Sequence, residues 1–310
     1  MPEIPAYKLI HHGTERLWAD FTRMVRDLEW TSTDNTVLWA TPRLASTKCI
    51  FAQRDDGDYF STIFENTFKY CINAAFYLTV PSLQGCGLGS KIWKEAMERI
   101  KATGKIIGLR AVSNMVAKYT SGETKVEVSR LKKHKLTVDQ MKEFCARYDR
   151  PSHCIQFYHE MDDDQCKDLL RFDREVTGRN RSAWLELFTA SEESEVAVLF
   201  NDGKVVTYAG VSTVGHPSAN TFKIGPCFAS SVAEFAFLAK WLLMFVEKYP
   251  SDAKIIVAVL TGSVGERELS PVLGHRISDE LVTLFSEIIE SKMNLDKCYV
   301  PNNSHCHYDG

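Results

Sequence analysis

Val80-Pro81-Ser82-Leu83-Gln84-Gly85-Cys86-Gly87-Leu88-Gly89-Ser90-Lys91-Ile92-Trp93 sets three glycines at alternate positions between an apolar run and an amphipathic one. The preceding run, Ala74 to Val80, reads as a strand. The stripe Ile92, Trp93, Ala96, Met97 and Ile100 predicts a helix from Ser90 to about Thr103, stopped by Gly104. Lys91 and Lys94 then fall near the start of that helix. A helix N-terminus carries about half a positive charge, and a cation beside it costs roughly 0.3–1 kcal/mol unless an anion offsets it. The loop is therefore either a tight strand–helix turn or a cradle for an anion.

Two phosphate-binding patterns fail here. A dinucleotide fingerprint, G-x-G-x-x-G, fits Gly85 and Gly87, but its third position falls on Ser90. The phosphate loop of nucleotide hydrolases ends Gly-Lys-Ser/Thr, whereas this chain has Gly89-Ser90-Lys91. What fits is Q-x-x-G-x-G at Gln84, Gly87 and Gly89, with Pro81 three residues before the glutamine.

Working outward, residues 6–11 predict a short strand and Glu15 to Leu28 an amphipathic helix. Strands are predicted at 35–40, 47–53 and Tyr59 to Glu65, then at Ala74 to Val80 and Lys105 to Val112. Met115 to Tyr119 starts a short helix. Residues 120–150 are polar and read as a tail and connector, with Thr137-Val138-Asp139-Gln140 a helix start and Lys132-Lys133-His134-Lys135 a solvated turn. Beyond Pro151 the order repeats. Cys154 to His159 is a strand, and Asp162 to Asp164 cap a helix. Trp184 to Phe188 is helical, and strands flank an Asn201-Asp202-Gly203 turn. Phe222 to Gly225 is a strand, followed by a helix from Val232 to Tyr249 and a strand from Ile255 to Leu260. The fold class is α/β with a mixed sheet, in two related domains, 1–150 and 151–310.

Composition fits a globular chain: 310 residues, 45% hydrophobic, 25% charged, formal net charge −3. That balance gives no reason to expect a nucleic-acid partner. The start MPEIPAYKLIHHG has no signal-peptide core, and Phe235 to Val246 is too short to span a bilayer. Nine irregularly spaced cysteines suit a reducing compartment, the cytoplasm or the nucleus. His305-Cys306-His307 has metal-ligating side chains but no second ligand pair, and no metal is expected.

On Gln84, Gly87, Gly89 and Pro81, the first half resembles the GNAT superfamily of acyl-CoA-dependent N-acyltransferases. The likeness runs from about Ala74 to Gly122. It implies that Gln84, Gly85, Cys86, Gly87, Leu88, Gly89 and Ser90 wrap the pyrophosphate of acetyl-CoA. Glycines let consecutive N–H groups converge on phosphate without a Cβ in the way. The resemblance also implies a strand splayed from its neighbour, with Leu78 and Thr79 holding the pantetheine arm and the Tyr77 amide facing the thioester oxygen. Ala111 to Gly122 is similar to the family's segment bearing a tyrosine acid, which matches Tyr119. The segment departs from that pattern at Val112, where the family has Asn, and at Glu123, where it has Phe. A phenol is protonated at neutral pH and can donate to a thiolate.

In lysine-directed relatives a glutamate occupies the position held here by Asn73, and an amide cannot take a proton from an ammonium. Either the amine loses its proton through water, or another carboxylate such as Glu65 takes it; Glu65 also reads as a solvated strand-end residue. The expected acceptor is a small-molecule amine rather than a protein lysine. Cys86 reads as a packing residue or, alternatively, as an acyl-carrying nucleophile.

Residues 172–260 resemble the divergent C-terminal domain of tandem acyltransferases of the kind found in nematodes. The resemblance rests on Phe172 to Arg181 and on Ile224-Gly225-Pro226-Cys227-Phe228-Ala229-Ser230. There the glycine loop is absent, and Ser231-Val232-Ala233-Glu234 reads as a capping box that satisfies the helix start internally. Arg174, Arg179 and Arg181 are either paired or available to an acidic acceptor. Three readings stand: an N-acetyltransferase, a non-catalytic acyl-CoA-binding scaffold, and a binder of nucleotides or phosphosugars.

Overall fold

A computed structural model of the chain describes residues 4, 6–28, 35–215, 220–250, 252–274, 277–289 and 292–301. In chain order its first half holds β1 (Lys8–Ile10), α1 (Glu15–Asp27), α2 (Asn35–Ala40), β2 (Thr47–Gln53), β3 (Tyr59–Thr67) and β4 (Cys71–Thr79). These are followed by α3 (Leu88–Ala102), β5 (Ile106–Val112), α4 (Val116–Thr120), β6 (Val126–Thr137) and α5 (Val138–Cys145). The second half holds β7 (Cys154–Phe157), α6 (Asp163–Thr177), α7 (Ser182–Thr189), β8 (Ser194–Asn201), β9 (Lys204–Val214) and β10 (Thr221–Phe228). It ends with α8 (Val232–Val246), β11 (Lys254–Leu260), α9 (Val264–Leu273), β12 (Ile277–Phe285) and β13 (Cys298–Val300).

The chain packs as two compact units, and their limits differ from a cut at residue 150. The first unit takes the described residues up to 28, then 41–128 and 282–289; the second takes 35–40, 129–281 and 292–301. Strand pairing is the reason. β6 lies in the stretch expected to be a polar connector and pairs antiparallel with β11, from Leu131↔Leu260 to Thr137↔Lys254. The end of β12 joins β5 instead: the Ser286 N–H donates to the Ile107 carbonyl at 2.8 Å, and the Ile107 N–H to Ser286 Oγ at 3.0 Å. Residues 35–40 form helix α2 rather than the expected strand, and Asn35 Nδ2 donates to Thr213 Oγ1 of β9 at 2.8 Å.

In the first unit β1 to β4 pair antiparallel in sequence order, and β5 joins β4 in parallel. One face of this sheet carries α3, whose Ile92, Ala96 and Ile100 pack with Ile50, Ile63, Ile72 and Ala74. The other carries α1, capped by the Thr14 side chain accepting from the Leu17 N–H. The buried stripe Leu17, Phe21 and Val25 meets the sheet there, with the Phe21 ring 4.7 Å from Phe64 and 5.0 Å from Phe76. Full burial of one such aromatic contributes about 1.5–3 kcal/mol.

In the second unit β7, β8, β9 and β10 pair antiparallel in sequence order, β11 lies parallel to β10, and β13 covers the end of β10. The β8–β9 turn has Asp202 at φ 49° and Gly203 at φ 72°, the left-handed pair that Asn-Asp-Gly signals. Lys132 to Lys135 belong to strand β6 and are not a solvated turn. Lys133 and His134 are buried, and the His134 ring meets the Gly274 carbonyl at 3.0 Å and Ser270 Oγ at 3.2 Å.

Among the described residues, no helix is long and apolar enough to cross a membrane. Among the same residues, eight cysteines are free thiols and no cluster of His, Cys, Asp and Glu could hold a metal ion. His305, Cys306 and His307 lie outside the described residues.

Candidate active site

Two irregularities in β4 build the site. From Thr62↔Leu78 to Phe64↔Ala75, β4 advances three residues against two of β3, which is a bulge. Phe76 takes it up with φ 47°, a costly conformation for a side chain of that size. Its consequence is that Phe76 points to the α1 face while Tyr77 points to α3. The second irregularity is on the β5 side. Parallel pairing covers Cys71↔Ile106 to Ala74↔Leu109 and goes no further, although β4 runs on to Thr79 and β5 to Val112. The strands therefore part after Ala74, as the sequence resemblance implies.

Past Val80 a 3-10 turn (Pro81–Leu83) leads to the glycines, and α3 begins at Leu88. Gly85 (φ 81°) and Gly87 (φ 91°) are left-handed, and a Cβ on either would meet open space. Glycine here serves backbone conformation and approach rather than packing. No side chain caps α3, and its first turn holds no acid. The first N–H groups of a helix have no partner within it, and here they face outward beneath a positive dipole end. Lys91 is the fourth helical residue. Lys94, a turn along, leans toward Glu98 at 3.8 Å on an exposed face.

Gly89 is small for a different reason. A Cβ there would stand 2.7 Å from the Tyr77 hydroxyl and 3.0 Å from Thr79 Oγ1, so the helix start rests directly on the parted strand. Thr79 Oγ1 lies 2.8 Å from Ser61 Oγ, which also donates to the Leu78 carbonyl at 2.6 Å. Gln84 Nε2 reaches back to the Thr79 carbonyl at 3.1 Å and closes the loop on its own strand. Cys86 is buried in the core beside Leu88, the position of a packing residue.

The tyrosines join through Trp93. Ring centroids of Tyr77 and Trp93 are 5.2 Å apart, those of Trp93 and Tyr119 5.1 Å. Lys118 Nζ sits 5.6 Å over the Tyr77 ring. Burial, with Tyr77 adding to it, pushes the Tyr119 phenol well above its ordinary value; burial raises Tyr77 as well. Both stay protonated at neutral pH. Glu123 receives Lys101 at 2.9 Å, and this bond, its largest influence, lowers the carboxyl. That tie fixes the end of the α4 segment to α3.

Glu65 is not brought to the tyrosines. It is buried on the α3 face of β3, with Oε2 3.4 Å from Arg99 near the far end of α3 and Oε1 without a partner. Burial raises its carboxyl, while Arg99 and Lys48 pull it down. Arg99 also meets His11 Nδ1 at 2.8 Å, and His11 Nε2 faces Glu95 at 3.3 Å. The solvated alternative for Glu65 fails with the same observation. Sequence reasoning missed Trp93, Lys118 and Ser61 as members of the site, and the bulge at Phe76. Only the aromatic character of Trp93 in the helix stripe could have signalled any of them.

At the matching place in the second unit, the start of α8 is already filled. Ser231 Oγ accepts from the Glu234 N–H at 3.2 Å, and the Glu234 carboxylate accepts from the Ser230 N–H at 2.8 Å and from the Thr207 hydroxyl. The expected box closes one residue early, on Ser230 instead of Ser231, with the same effect: a buried carboxylate stands where an anion would bind. Arg181 is paired, not available. It is buried against Asp173, which also receives the Tyr208 hydroxyl.

No family model matches the chain. It is 29% identical to an uncharacterized protein of Caenorhabditis elegans, and the match covers 94% of each. Among solved structures it is similar to a tandem GNAT protein from the clavulanic acid biosynthesis pathway: TM-score 0.67, 13% identity, covering 92% of this chain and 100% of that one. It is also similar to N-myristoyltransferase of Saccharomyces cerevisiae, solved with bound myristoyl-CoA: TM-score 0.59, 8% identity, covering 97% and 90%.

Proposed function

From its tandem GNAT fold, we propose that this chain is an acyl-CoA N-acyltransferase whose first unit takes acetyl-CoA and passes its acetyl group to an amine. One observation carries the reading: an uncapped, acid-free helix start behind two left-handed glycines, set against a strand that parts from its neighbour. A turn made only to reverse the chain needs none of the three together. The fold's own repeat supplies a control, because the second unit fills its helix start with Glu234.

The residues divide the work as follows. Gly85 to Ser90 offer N–H groups to the pyrophosphate. The parted edge of β4 at Leu78 and Thr79 takes the pantetheine arm, and the Tyr77 amide faces the thioester oxygen, where a backbone donor contributes about 3 kcal/mol. The amine lone pair forms the C–N bond and the C–S pair leaves with sulfur, which takes the Tyr119 proton. The buried phenol, raised by its surroundings, is a competent donor and never a base in the resting enzyme.

The test follows free-thiol release from acetyl-CoA over a panel of amines. Tyr119→Phe should lower kcat by about 10²–10⁴-fold and leave acetyl-CoA affinity within twofold. Equal turnover by the two proteins would remove Tyr119 from the chemistry. A wild type that binds acetyl-CoA and acetylates nothing would favour the scaffold reading.

A further inference from the structure

Followed back from Thr79, the gap between β4 and β5 is short. It ends three residues past Tyr77, where Ala74 pairs with Leu109. The α1 side of this stretch is filled by the core of the unit. The Phe76 ring, 2% exposed, lies 5.0 Å from Phe21 and 5.3 Å from Phe64. At the next rung, Asn73↔Gly108, the fully buried Asn73 and Phe285 close over the glycine, where a Cβ would run into both.

On the α3 side one residue does the same. The Trp93 ring stands between Tyr77 and Tyr119, 5.2 Å and 5.1 Å from them between centroids. Rings on both flanks stop the indole from swinging sideways, and its N–H is bonded to the Glu123 carboxylate. Glu123 is held in turn by Lys101 at 2.9 Å, a residue about two turns beyond Trp93 on α3. The phenylalanine that the family carries at the Glu123 position has no acceptor for an indole N–H, so this chain has its own means of fixing Trp93. The other walls of the gap are hydrogen-bonded strand and buried core. Trp93 is half-buried, and its size can change without rebuilding the sheet.

We infer that Trp93 limits the length of the acyl group, so that the site takes acetyl- or propionyl-CoA and rejects chains of six carbons or more. This rests on the coenzyme part of the reading above and says which thioesters it accepts. The amine need only reach the carbonyl carbon, whereas a longer tail must pass it. Beyond the carbonyl the tail meets Trp93 on one side, Phe76 and Asn73 on the other, and paired strands ahead. Extra methylenes enter a filled site only by forcing side chains off their rotamers or shifting backbone. Trp93 is held at its flanks and at its nitrogen, and does not yield.

The test is calorimetric titration of acetyl-CoA and hexanoyl-CoA into the full chain, as wild type, Trp93→Ala and Trp93→Leu, with far-UV spectra to establish folding. Wild type should bind hexanoyl-CoA more than about tenfold more weakly than acetyl-CoA, since even one methylene is worth that much at a filled apolar pocket. Both variants should bring the two affinities to within about threefold, by gaining hexanoyl-CoA rather than losing acetyl-CoA. Trp93→Leu keeps an apolar side chain against both tyrosines and decides the matter if Trp93→Ala does not fold. Wild-type affinities that lie within tenfold of each other would overturn the inference. So would folded variants that gain no hexanoyl-CoA affinity or that lose acetyl-CoA, outcomes that leave the wild-type coenzyme site standing. Folded wild type that binds neither thioester would instead sink the acyltransferase reading, and this inference with it.

Discussion

Arg99→Met should destabilise the first unit through Glu65 rather than through its own lost contacts. Glu65 is 3% exposed with one oxygen unpartnered, and its largest compensation is the guanidinium 3.4 Å away. Removing one partner of a buried pair costs about 3–5 kcal/mol. The Arg99 side chain is 29% exposed and the separation is long, so solvent screening takes the cost below that range, to about 2 kcal/mol. For a domain of this size that is a fall in Tm of roughly 4–8 °C.

The pH dependence has a definite sign. Burial raises the Glu65 carboxyl above its unfolded value, and Arg99 is the larger of the two charges, with Lys48, that hold it down. Without Arg99 it rises further. A group with a raised folded pKa contributes stability at low pH that disappears as pH climbs through the folded value. The deficit of Arg99→Met should therefore be smaller at pH 5 than at pH 7.5, and Glu65→Gln added to it should recover at least half. Urea unfolding at both pH values measures this directly. An equal loss in Arg99→Met with and without Glu65→Gln, or at the two pH values, would refute the reasoning. Glu65→Gln by itself should leave transfer activity within a few-fold, because the carboxylate is structural.

Three other perturbations probe separate parts of the account. Gly89→Val places methyls where the Tyr77 hydroxyl already sits 2.7 Å from a Cβ, and should weaken acetyl-CoA binding at least tenfold with a modest loss of stability, read by calorimetry and thermal melting. Glu234→Ala leaves the Ser230 N–H and Thr207 hydroxyl unpaired and should cost about 1–3 kcal/mol in urea unfolding, with no second acetyl-CoA site appearing. Arg181→Met strands the buried Asp173 and should cost about 3–5 kcal/mol, more than Arg99→Met, because that pair is almost wholly enclosed.

What could be read from the chain was what depends on near neighbours. The glycine loop between strand and helix, the Asn201-Asp202-Gly203 turn and the helix start at Thr137–Gln140 each need only a few adjacent residues, and each is present, the last as a capping box. What could not be read depends on distant partners. Asn35 to Ala40 is too short for periodicity to separate strand from helix, and its helix is fixed by a bond to residue 213. Strand β6 was hidden by its lysines and histidine, which look solvated until Ser270, Gly274 and Glu266 are brought to them. Glu65 looked available because Arg99 is 34 positions away in sequence, across the sheet and helix. The exchange of 282–289 into the first unit has no local signature at all.

The most direct test of the central claim is calorimetric titration of acetyl-CoA into wild type and into Gly87→Glu. The substitution sets a carboxylate in the open space before α3, where the pyrophosphate would lie, at a residue whose left-handed backbone is also unsuited to a side chain. The account predicts one site per chain with micromolar affinity in wild type, weakened at least a hundredfold in Gly87→Glu at an unchanged far-UV spectrum. Folded wild-type protein that binds no acetyl-CoA, or a Gly87→Glu variant that binds it as well as wild type, would contradict it.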